Sequence, residues 1–172
     1  VIIDPNVLDP NTPSVSIASG SGIVGNDALL LEDTDVSGYV EVPGSEGVTG
    51  FHSLGLTVSA WIQTETTAPY LAAIATVRDN LTSEDDFFLN RYYGRGRWRI
   101  STPTVVDSPA PPEGPDMADG QWHYLVGTYD ADTQERSLYI DGISMGTLTG
   151  TVPDDFDSQG VLRVGGWYTN GD

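Results

Sequence analysis

Apolar and polar residues alternate along much of the chain, and this alternation predicts β-strands. In segment 56–62, LTVSAWI, every second residue is apolar from Leu56 to Ile62. A period of two residues is typical of a strand with one buried and one exposed face. Ten other segments are similar, bounded by Gly, Asp, Asn or Pro, and no segment has a convincing helical period. The predicted strands are 14–18, 28–31, 39–42, 56–63, 70–77, 87–91, 97–101, 122–130, 137–140, 143–148 and 161–167.

Two predicted hairpins have turn residues that favour a tight reversal of the chain. Asp141-Gly142 separates the runs SLYI and ISMGTL and supplies the two positive-φ positions of a type I′ turn. The glycine-containing segment 93–96 joins two other alternating strands, with Trp98 on one face and Arg97 on the other. Many short antiparallel strands without helices predict an all-β fold, an antiparallel β-sandwich.

The length of 172 residues favours a single domain with one hydrophobic core. Segment 1–14 contains three prolines and no sustained alternation, so we interpret it as an extended N-terminal arm or linker. The sandwich domain is then expected to occupy residues 15–172.

The charge balance restricts the partners that the chain can bind. The formal net charge is −18, from 25 Asp and Glu residues against 7 arginines, and there is no lysine. The negative electrostatic field of such a chain repels phosphate backbones and anionic headgroups, so nucleic acid is not expected as a partner. No apolar run approaches the roughly 18 residues of a membrane span, so membrane insertion is not expected either. The absence of lysine indicates a compositional pressure such as saline or extracellular surroundings.

A series of short motifs along residues 25–167 carries a family resemblance. The motifs are GNDALLL at 25–31, YVEVP at 39–43, LTVSAWI at 56–62, GQWHYLVGTYD at 120–130, LYIDG at 138–142 and LRVGG at 162–166. In this order they resemble the laminin-G-like domains of the concanavalin A-like lectin and glucanase superfamily. The resemblance implies a jelly roll of two antiparallel sheets. It also implies a secreted, lectin-like carbohydrate-binding or cell-adhesion module, whose partner is a polysaccharide, a glycoconjugate or a neighbouring protein domain.

The end of the chain departs from the family pattern. Family members usually close the sandwich with a further C-terminal strand, and this sequence ends at Asp172 before one. We expect the place of this strand in the sheet to be filled by the N-terminal arm or by another copy of the chain. An alternative function is therefore a structural subunit of an extracellular assembly or filament, completed by strand pairing with a neighbour.

Catalysis is not expected from the arrangement of the acidic residues. The hydrolases of the superfamily have a Glu-x-Asp-x-x-Glu strand, which places two carboxylates on one face for acid and nucleophile roles. No such triplet occurs in the chain. His52 and His123 have no evident serine or carboxylate partners, and we assign His123 a structural role. A glycoside hydrolase with an unrecognised site remains the less favoured alternative.

One hairpin combines aromatic and planar cationic side chains, which recognise sugars by stacking and by hydrogen bonding. Because it is the one locally positive patch of the sequence, it would suit an anionic polysaccharide. A second aromatic platform lies near the C-terminus, whereas Trp61 and Trp122 occupy core-motif positions of the family and are assigned to structure. The predicted carbohydrate-binding residues are Arg91, Tyr92, Tyr93, Arg95, Arg97, Trp167 and Tyr168.

An acidic turn is the candidate metal site. Asp33 and Asp35 follow a predicted strand, and Ca²⁺ prefers six to eight oxygen ligands of the kind that carboxylates and turn carbonyls supply. In related jelly rolls an acidic turn at this position contributes to a calcium site at the edge of the sandwich. The resemblance thus implies calcium as a stabilising cofactor held by Asp33 and Asp35.

Overall fold

A computed structural model describes residues 15–19, 27–31, 40–41, 55–65, 72–78, 85–92, 95–100, 115–150 and 161–164. Every regular element among them is a β-strand, so no helix of the described residues could cross a membrane. The strands are β1 (Val15–Ser19), β2 (Asp27–Leu31), β3 (Val40–Glu41), β4 (Leu56–Gln63), β5 (Ala72–Arg78), β6 (Asp85–Tyr92), β7 (Arg95–Ile100), β8 (Trp122–Asp130), β9 (Glu135–Ile140), β10 (Ile143–Thr149) and β11 (Val161–Val164).

The eleven predicted strands are confirmed, with differences at their ends. The bounds of β4 and β8 agree with the prediction at both ends. The hairpin between β6 and β7 is tighter than predicted, because β7 begins at Arg95, which pairs with Tyr92. Only residues 93 and 94 therefore connect the two strands, and Arg95 belongs to the sheet instead of the turn.

The strands form two larger sheets and one pair, all antiparallel. A four-stranded sheet has the order β10-β9-β8-β4, and a five-stranded sheet has the order β3-β11-β5-β6-β7. Strands β1 and β2 pair with each other over their full length. The connections β8–β9, β9–β10 and β6–β7 are hairpins between neighbouring strands, as short turns between alternating segments predict.

Both large sheets contribute to one hydrophobic core. Leu89 of β6 and Leu162 of β11 come from the five-stranded sheet, and they pack with side chains of the four-stranded sheet. Met117, in the segment before β8, is fully buried in the same cluster. The fully or almost fully buried apolar residues are Leu89, Met117, Leu125, Tyr129, Leu138 and Ile140. The fold is therefore an antiparallel β-sandwich, as the sequence predicts.

The register of the four-stranded sheet separates an inner face from an outer face. On β8, Leu125 and Tyr129 are buried, and on β4 the residues between Leu56 and Ile62 alternate between half-buried and exposed. Residues directly opposite one another share a face, so the alternation extends across the sheet. We call the side away from the core the outer face. The described register places five rows on it: Gln63 and Trp122; Trp61 and Tyr124; Ser59, Val126, Tyr139 and Ser144; Thr57, Thr128, Ser137 and Thr147; and Asp130, Glu135 and Thr149.

Candidate functional site

The predicted sugar-binding hairpin is present as the paired strands β6 and β7. Their register places the predicted residues on two different faces of the sheet. Leu89 is fully buried, so positions two residues away along β6, including Arg91, belong to the same face of the strand. Tyr92 pairs with Arg95, and Arg97 pairs with Asn90. The positions of Tyr92, Arg95 and Arg97 thus share the face away from the core, and the position of Arg91 lies on the other face.

The remaining predicted site residues lie outside the described residues. These are Tyr93, Trp167 and Tyr168 of the carbohydrate-binding set, and Asp33 and Asp35 of the metal set. Among the residues that the structure does describe, no group of three or more His, Asp or Glu side chains has an arrangement that could hold a metal ion.

An exposed aromatic pair stands on the outer face of the four-stranded sheet. Trp61 pairs with Tyr124 in the β4–β8 register, and their ring centroids are 4.9 Å apart with an interplanar angle of 32°. Trp61 is 43% exposed. Trp61, which occupies a core-motif position of the family, is thus not part of the described core: the alternation of β4 turns Leu56, Val58 and Ile62 inwards and leaves Trp61 on the outer face.

Hydroxyl groups lie along the strands on one side of this aromatic pair. Thr57 and Ser59 are exposed on β4, and Ser144 and Thr147 are exposed on β10. The Ser137 Oγ and Thr147 Oγ1 atoms are 2.8 Å apart, so one hydroxyl donates a hydrogen bond to the other across β9 and β10. A hydroxyl can both donate and accept, so the outer face offers both kinds of partner to a polar ligand.

The charged residues on the described part of the outer face are carboxylates at its end. Asp130 and Glu135 pair across β8 and β9, and both are exposed. The arginine of the same sheet, Arg136, is on the inner face and is buried. Burial lowers the pKa of Arg136, an effect that the nearby Tyr129 opposes. The outer face is therefore polar and aromatic at its centre and negative at its rim.

A histidine lies between two carboxylates at the opposite end of the sheet. His123 Nδ1 is 2.7 Å from Asp141 Oδ2, and His123 Nε2 is 3.1 Å from Asp119 Oδ1. The side chain of His123 is only 12% exposed, whereas the side chains of Asp119 and Asp141 are 49% and 41% exposed. We call these three residues the His123 clasp. The expectation that His123 has no carboxylate partners is wrong, because the β8–β9 register brings Asp141 to it from 18 residues away.

The clasp changes the pKa values of its three members. The hydrogen bond to Asp141 raises the pKa of His123, and the contact with Asp119 adds to this effect against the opposing effect of burial. The pKa of Asp119 is lowered by the backbone N–H of Gln121 and then by His123. Burial acts to raise the pKa of Asp141, but the hydrogen bonds from His123 and the Tyr124 N–H outweigh it and lower this pKa. The protonated imidazole has two N–H donors, so it satisfies both carboxylates.

The His123 clasp adjoins the aromatic pair through the backbone of Tyr124. Asp141 N–H donates to Tyr124 O at 2.9 Å, and Tyr124 N–H donates to Asp141 Oδ1 at 2.8 Å. On the neighbouring strand, Gln63 Nε2 donates to Gly120 O at 2.8 Å, and Gly120 N–H donates to Thr64 O at 2.9 Å. The segment before β8 is thereby attached to the end of the strand that carries the exposed tryptophan.

The arrangement of the clasp is suited to holding backbone segments together. Both ring nitrogens of His123 face carboxylates, so neither is directed at a hydroxyl nucleophile as a general base would be. The aromatic pair and its hydroxyl neighbours, in contrast, form an accessible surface whose groups can contact a ligand. Of the two clusters, the outer face is the better candidate for binding.

Comparison with known proteins identifies the family and the fold. Residues 33–172 match the family model Laminin_G_3, described as the concanavalin A-like lectin/glucanases superfamily. No curated protein has a significant sequence match to the chain.

Two solved structures have a similar fold. The binding domain of Paraclostridial Mosquitocidal Protein 1 superposes with a TM-score of 0.60 at 14% identity, over 92% of this chain and 39% of that chain. The carbohydrate esterase vb_24B_21 from the Shiga toxin-encoding bacteriophage phi24B superposes with a TM-score of 0.51 at 12% identity, over 87% of this chain and 77% of that chain. At such identities the likeness is one of fold. The chain spans about two fifths of the length of the first of these proteins.

Proposed function

The chain belongs to the concanavalin A-like lectin/glucanases superfamily, and on this basis we propose that it is a non-catalytic carbohydrate-binding module of an extracellular protein. The observation that carries the proposal is the exposed Trp61 ring, which contacts the ring of Tyr124 beside it on the outer face. An aromatic ring packs its face against the C–H groups of a sugar, and the hydroxyls beside it can exchange hydrogen bonds with sugar hydroxyls.

The support of Trp61 by Tyr124 favours binding over incidental exposure. Their ring contact and the pairing of β4 with β8 restrict the indole before a ligand arrives. A pre-ordered side chain loses less conformational entropy on binding than a mobile one, which raises affinity without any new contact. An aromatic ring with this support is therefore better suited to ligand contact than an isolated exposed side chain.

We expect Trp61→Ala to abolish or strongly weaken binding in a glycan-array measurement with the purified chain. The expected loss is about tenfold or more in Kd, which corresponds to roughly 1.4 kcal/mol of binding free energy. Ile143→Ala is the matched control, since Ile143 is 64% exposed but pairs with the inward-facing Ile140. Equal affinities for the wild type and the Trp61→Ala variant would reject the outer face as the binding site.

We also propose the predicted hairpin as a second carbohydrate-binding surface, separate from the outer face. Tyr92, Arg95 and Arg97 occupy positions on one face of β6 and β7, where cationic groups would suit an anionic glycan. This surface lies on the five-stranded sheet, so its variants can be tested independently of Trp61. If Arg95→Ala loses binding to anionic glycans and keeps binding to uncharged ones, the anionic glycans bind at the hairpin.

Calcium is the cofactor that we propose for the acidic turn. Asp33 and Asp35 offer the hard oxygen ligands that Ca²⁺ prefers, and a bound ion would stabilise the folded state by mass action. Adding a chelator to the purified chain should then lower its melting temperature, and adding Ca²⁺ should restore it. A melting curve that does not respond to chelator, in the wild type as in Asp33→Asn, would reject the assignment.

The second candidate function, a structural subunit of an extracellular assembly, is favoured by the order of the described strands. Strands β4 and β10 are the edges of the four-stranded sheet in that part of the chain. An edge strand can pair with a strand of another copy. Light scattering over a concentration series would detect such an assembly, and a monomer throughout would exclude self-assembly at those concentrations.

A further inference from the structure

We infer that the outer face of the four-stranded sheet binds an uncharged oligosaccharide, laid along the strands from Trp61 towards Thr57. The inference rests on the proposed function and deepens it by naming the ligand class and its direction. It also separates this face from the predicted hairpin, whose arginines would suit an anionic glycan.

The first step is the charge of the face. Among its described residues the charged groups are Asp130 and Glu135, which lie at one end of the face. Arg136 points inwards, so it does not neutralise them. In a chain of net charge −18, a sulfated or uronate-containing glycan would meet negative charge at this end of the surface and, among the described residues of the face, no arginine to balance it. An uncharged sugar has no such penalty.

The second step is the polar character of the centre. Away from this acidic end, the described polar groups of the rows are hydroxyls, among them Thr57, Ser59 and the bonded pair Ser137 and Thr147, together with the Gln63 amide beyond Trp61. Hydroxyls match the mixed donors and acceptors of a neutral sugar, whereas a carboxylate or sulfate ligand would call for cationic donors. The hydroxyl-rich centre and the acidic end of the face thus favour the same ligand class.

The third step is the length of the surface. Trp61, Ser59 and Thr57 are successive outward positions of β4, and each begins a row that continues onto β8. At about 3.4 Å per residue, the rows of Trp61 and Thr57 are roughly 14 Å apart along the strand. This span exceeds one sugar ring. Affinity is therefore expected to rise with the number of sugar units, instead of saturating at a monosaccharide.

The test compares two series of oligosaccharides by isothermal titration calorimetry with the whole chain. Cello-oligosaccharides and malto-oligosaccharides, from disaccharide to hexasaccharide, are the uncharged probes, and oligogalacturonates of the same lengths are the anionic ones. We expect at least one uncharged series to bind, with affinity rising up to about the tetrasaccharide. The affinity should change little with salt, because screening acts on charge–charge attraction.

The variants assign this binding to the outer face. Trp61→Ala should weaken binding of the uncharged series about tenfold, and Trp61→Phe, which keeps a smaller ring, should have an intermediate effect. Thr57→Val, at the far end of the path, should reduce affinity for the longer members and leave the disaccharide unchanged. Ile143→Ala should match the wild type, and melting temperatures of all variants verify that they are folded.

Each other outcome overturns the inference. Salt-sensitive binding of oligogalacturonates that is lost in Arg95→Ala but not in Trp61→Ala would contradict it and leave the proposed function standing. Concentration-dependent dimerisation that Trp61→Ala abolishes would show that a second copy covers the face. Failure of both series and of a broad glycan array would reject the inference and the proposed function together.

Discussion

His123 is the residue whose surroundings are most sensitive to pH. Its imidazole can donate to both Asp119 and Asp141 only when it is protonated, because a neutral ring has a single N–H. Loss of the proton therefore leaves one carboxylate facing a nitrogen lone pair. The shorter contact, to Asp141, is the one that a neutral ring would keep as a donor.

The raised pKa of His123 predicts that this contribution to stability falls as pH rises. This stabilising contribution is fully present below the pKa of an ordinary histidine, about 6.5, and it is lost as pH rises through the higher pKa of His123 in the folded state. For Asp141, whose pKa is lowered, the contribution is present above about 3.8 and is lost as pH falls through the folded-state value. The clasp should therefore contribute most between these two regions, at mildly acidic pH.

Thermal unfolding from pH 5 to 9 tests this prediction with His123→Asn. The difference in unfolding free energy between the wild type and the variant should be largest near pH 5–6 and should shrink towards pH 9. Because the Asp141 carboxylate is exposed and therefore screened by solvent, we expect this difference to be roughly 0.2–1 kcal/mol. Because the variant retains His52, any titration of that residue cancels in the difference. A difference that is constant with pH would contradict the role of the clasp.

Among the elements, the hairpin of β9 and β10 is the one whose turn the local sequence specifies best. Asp141 has φ 52° and Gly142 has φ 79°, which confirms the predicted type I′ turn. The same Asp141 also bonds His123 and the Tyr124 N–H, so one residue shapes the turn and attaches it to β8. A substitution in this turn should consequently also affect the position of Tyr124 in the aromatic pair.

Substitution of Gly142 tests the turn without a steric clash. A Cβ added at Gly142 would have no other atom within 4 Å, so the cost of Gly142→Ala is that of the left-handed backbone, about 1–2 kcal/mol. Gly142→Asn should cost less, because asparagine tolerates this conformation better. Urea denaturation measures both. Equal costs for the two variants would show that something other than backbone conformation limits this position.

For the molecule as a whole, the packing of the two large sheets is the arrangement on which the outer face depends. Leu89 is the fully buried side chain that the five-stranded sheet contributes to the described core, where it meets residues of the four-stranded sheet. If the sheets did not pack in this way, Trp61 and Tyr124 would have no defined outer side.

Leu89→Ala should destabilise the fold by about 2–5 kcal/mol, the usual cost of truncating a fully buried leucine. Ile143→Ala, at an exposed position, should change the unfolding free energy by no more than about 0.5 kcal/mol. Denaturant titrations followed by tryptophan fluorescence give both values. A cost for Leu89→Ala as small as that for Ile143→Ala would contradict the packing of the sheets.

The strands and the β9–β10 turn could be predicted from the sequence because their causes are local. Alternation in 56–62 fixes which side chains share a face, and Asp141-Gly142 supplies the turn conformation. The family motifs likewise predicted the sandwich, which the structure confirms. The acidic charge that disfavours nucleic acid is a property of composition and needs no fold.

The candidate site depended instead on contacts between distant segments. The alternation of β4 places Trp61 with Thr57 and Ser59 on the polar face, but its ring contact with Tyr124 requires the pairing of β4 with β8. The partners of His123 were missed because Asp141 meets it through pairing of two strands. The turn between β8 and β9 was the available signal: Leu125 pairs with Ile140, and one further step places Asp141 opposite Tyr124.

The sequence alone therefore accounts for the extended segments, the positive-φ turn and the excess of negative charge. The first two depend on a few neighbouring residues, and the third depends only on composition. Three-dimensional packing accounts for the contact of the Trp61 ring with Tyr124 and for the histidine between two carboxylates. These features require register between strands and burial of one sheet face against the other. Both arise from interactions between residues far apart in the chain, which periodicity alone does not specify.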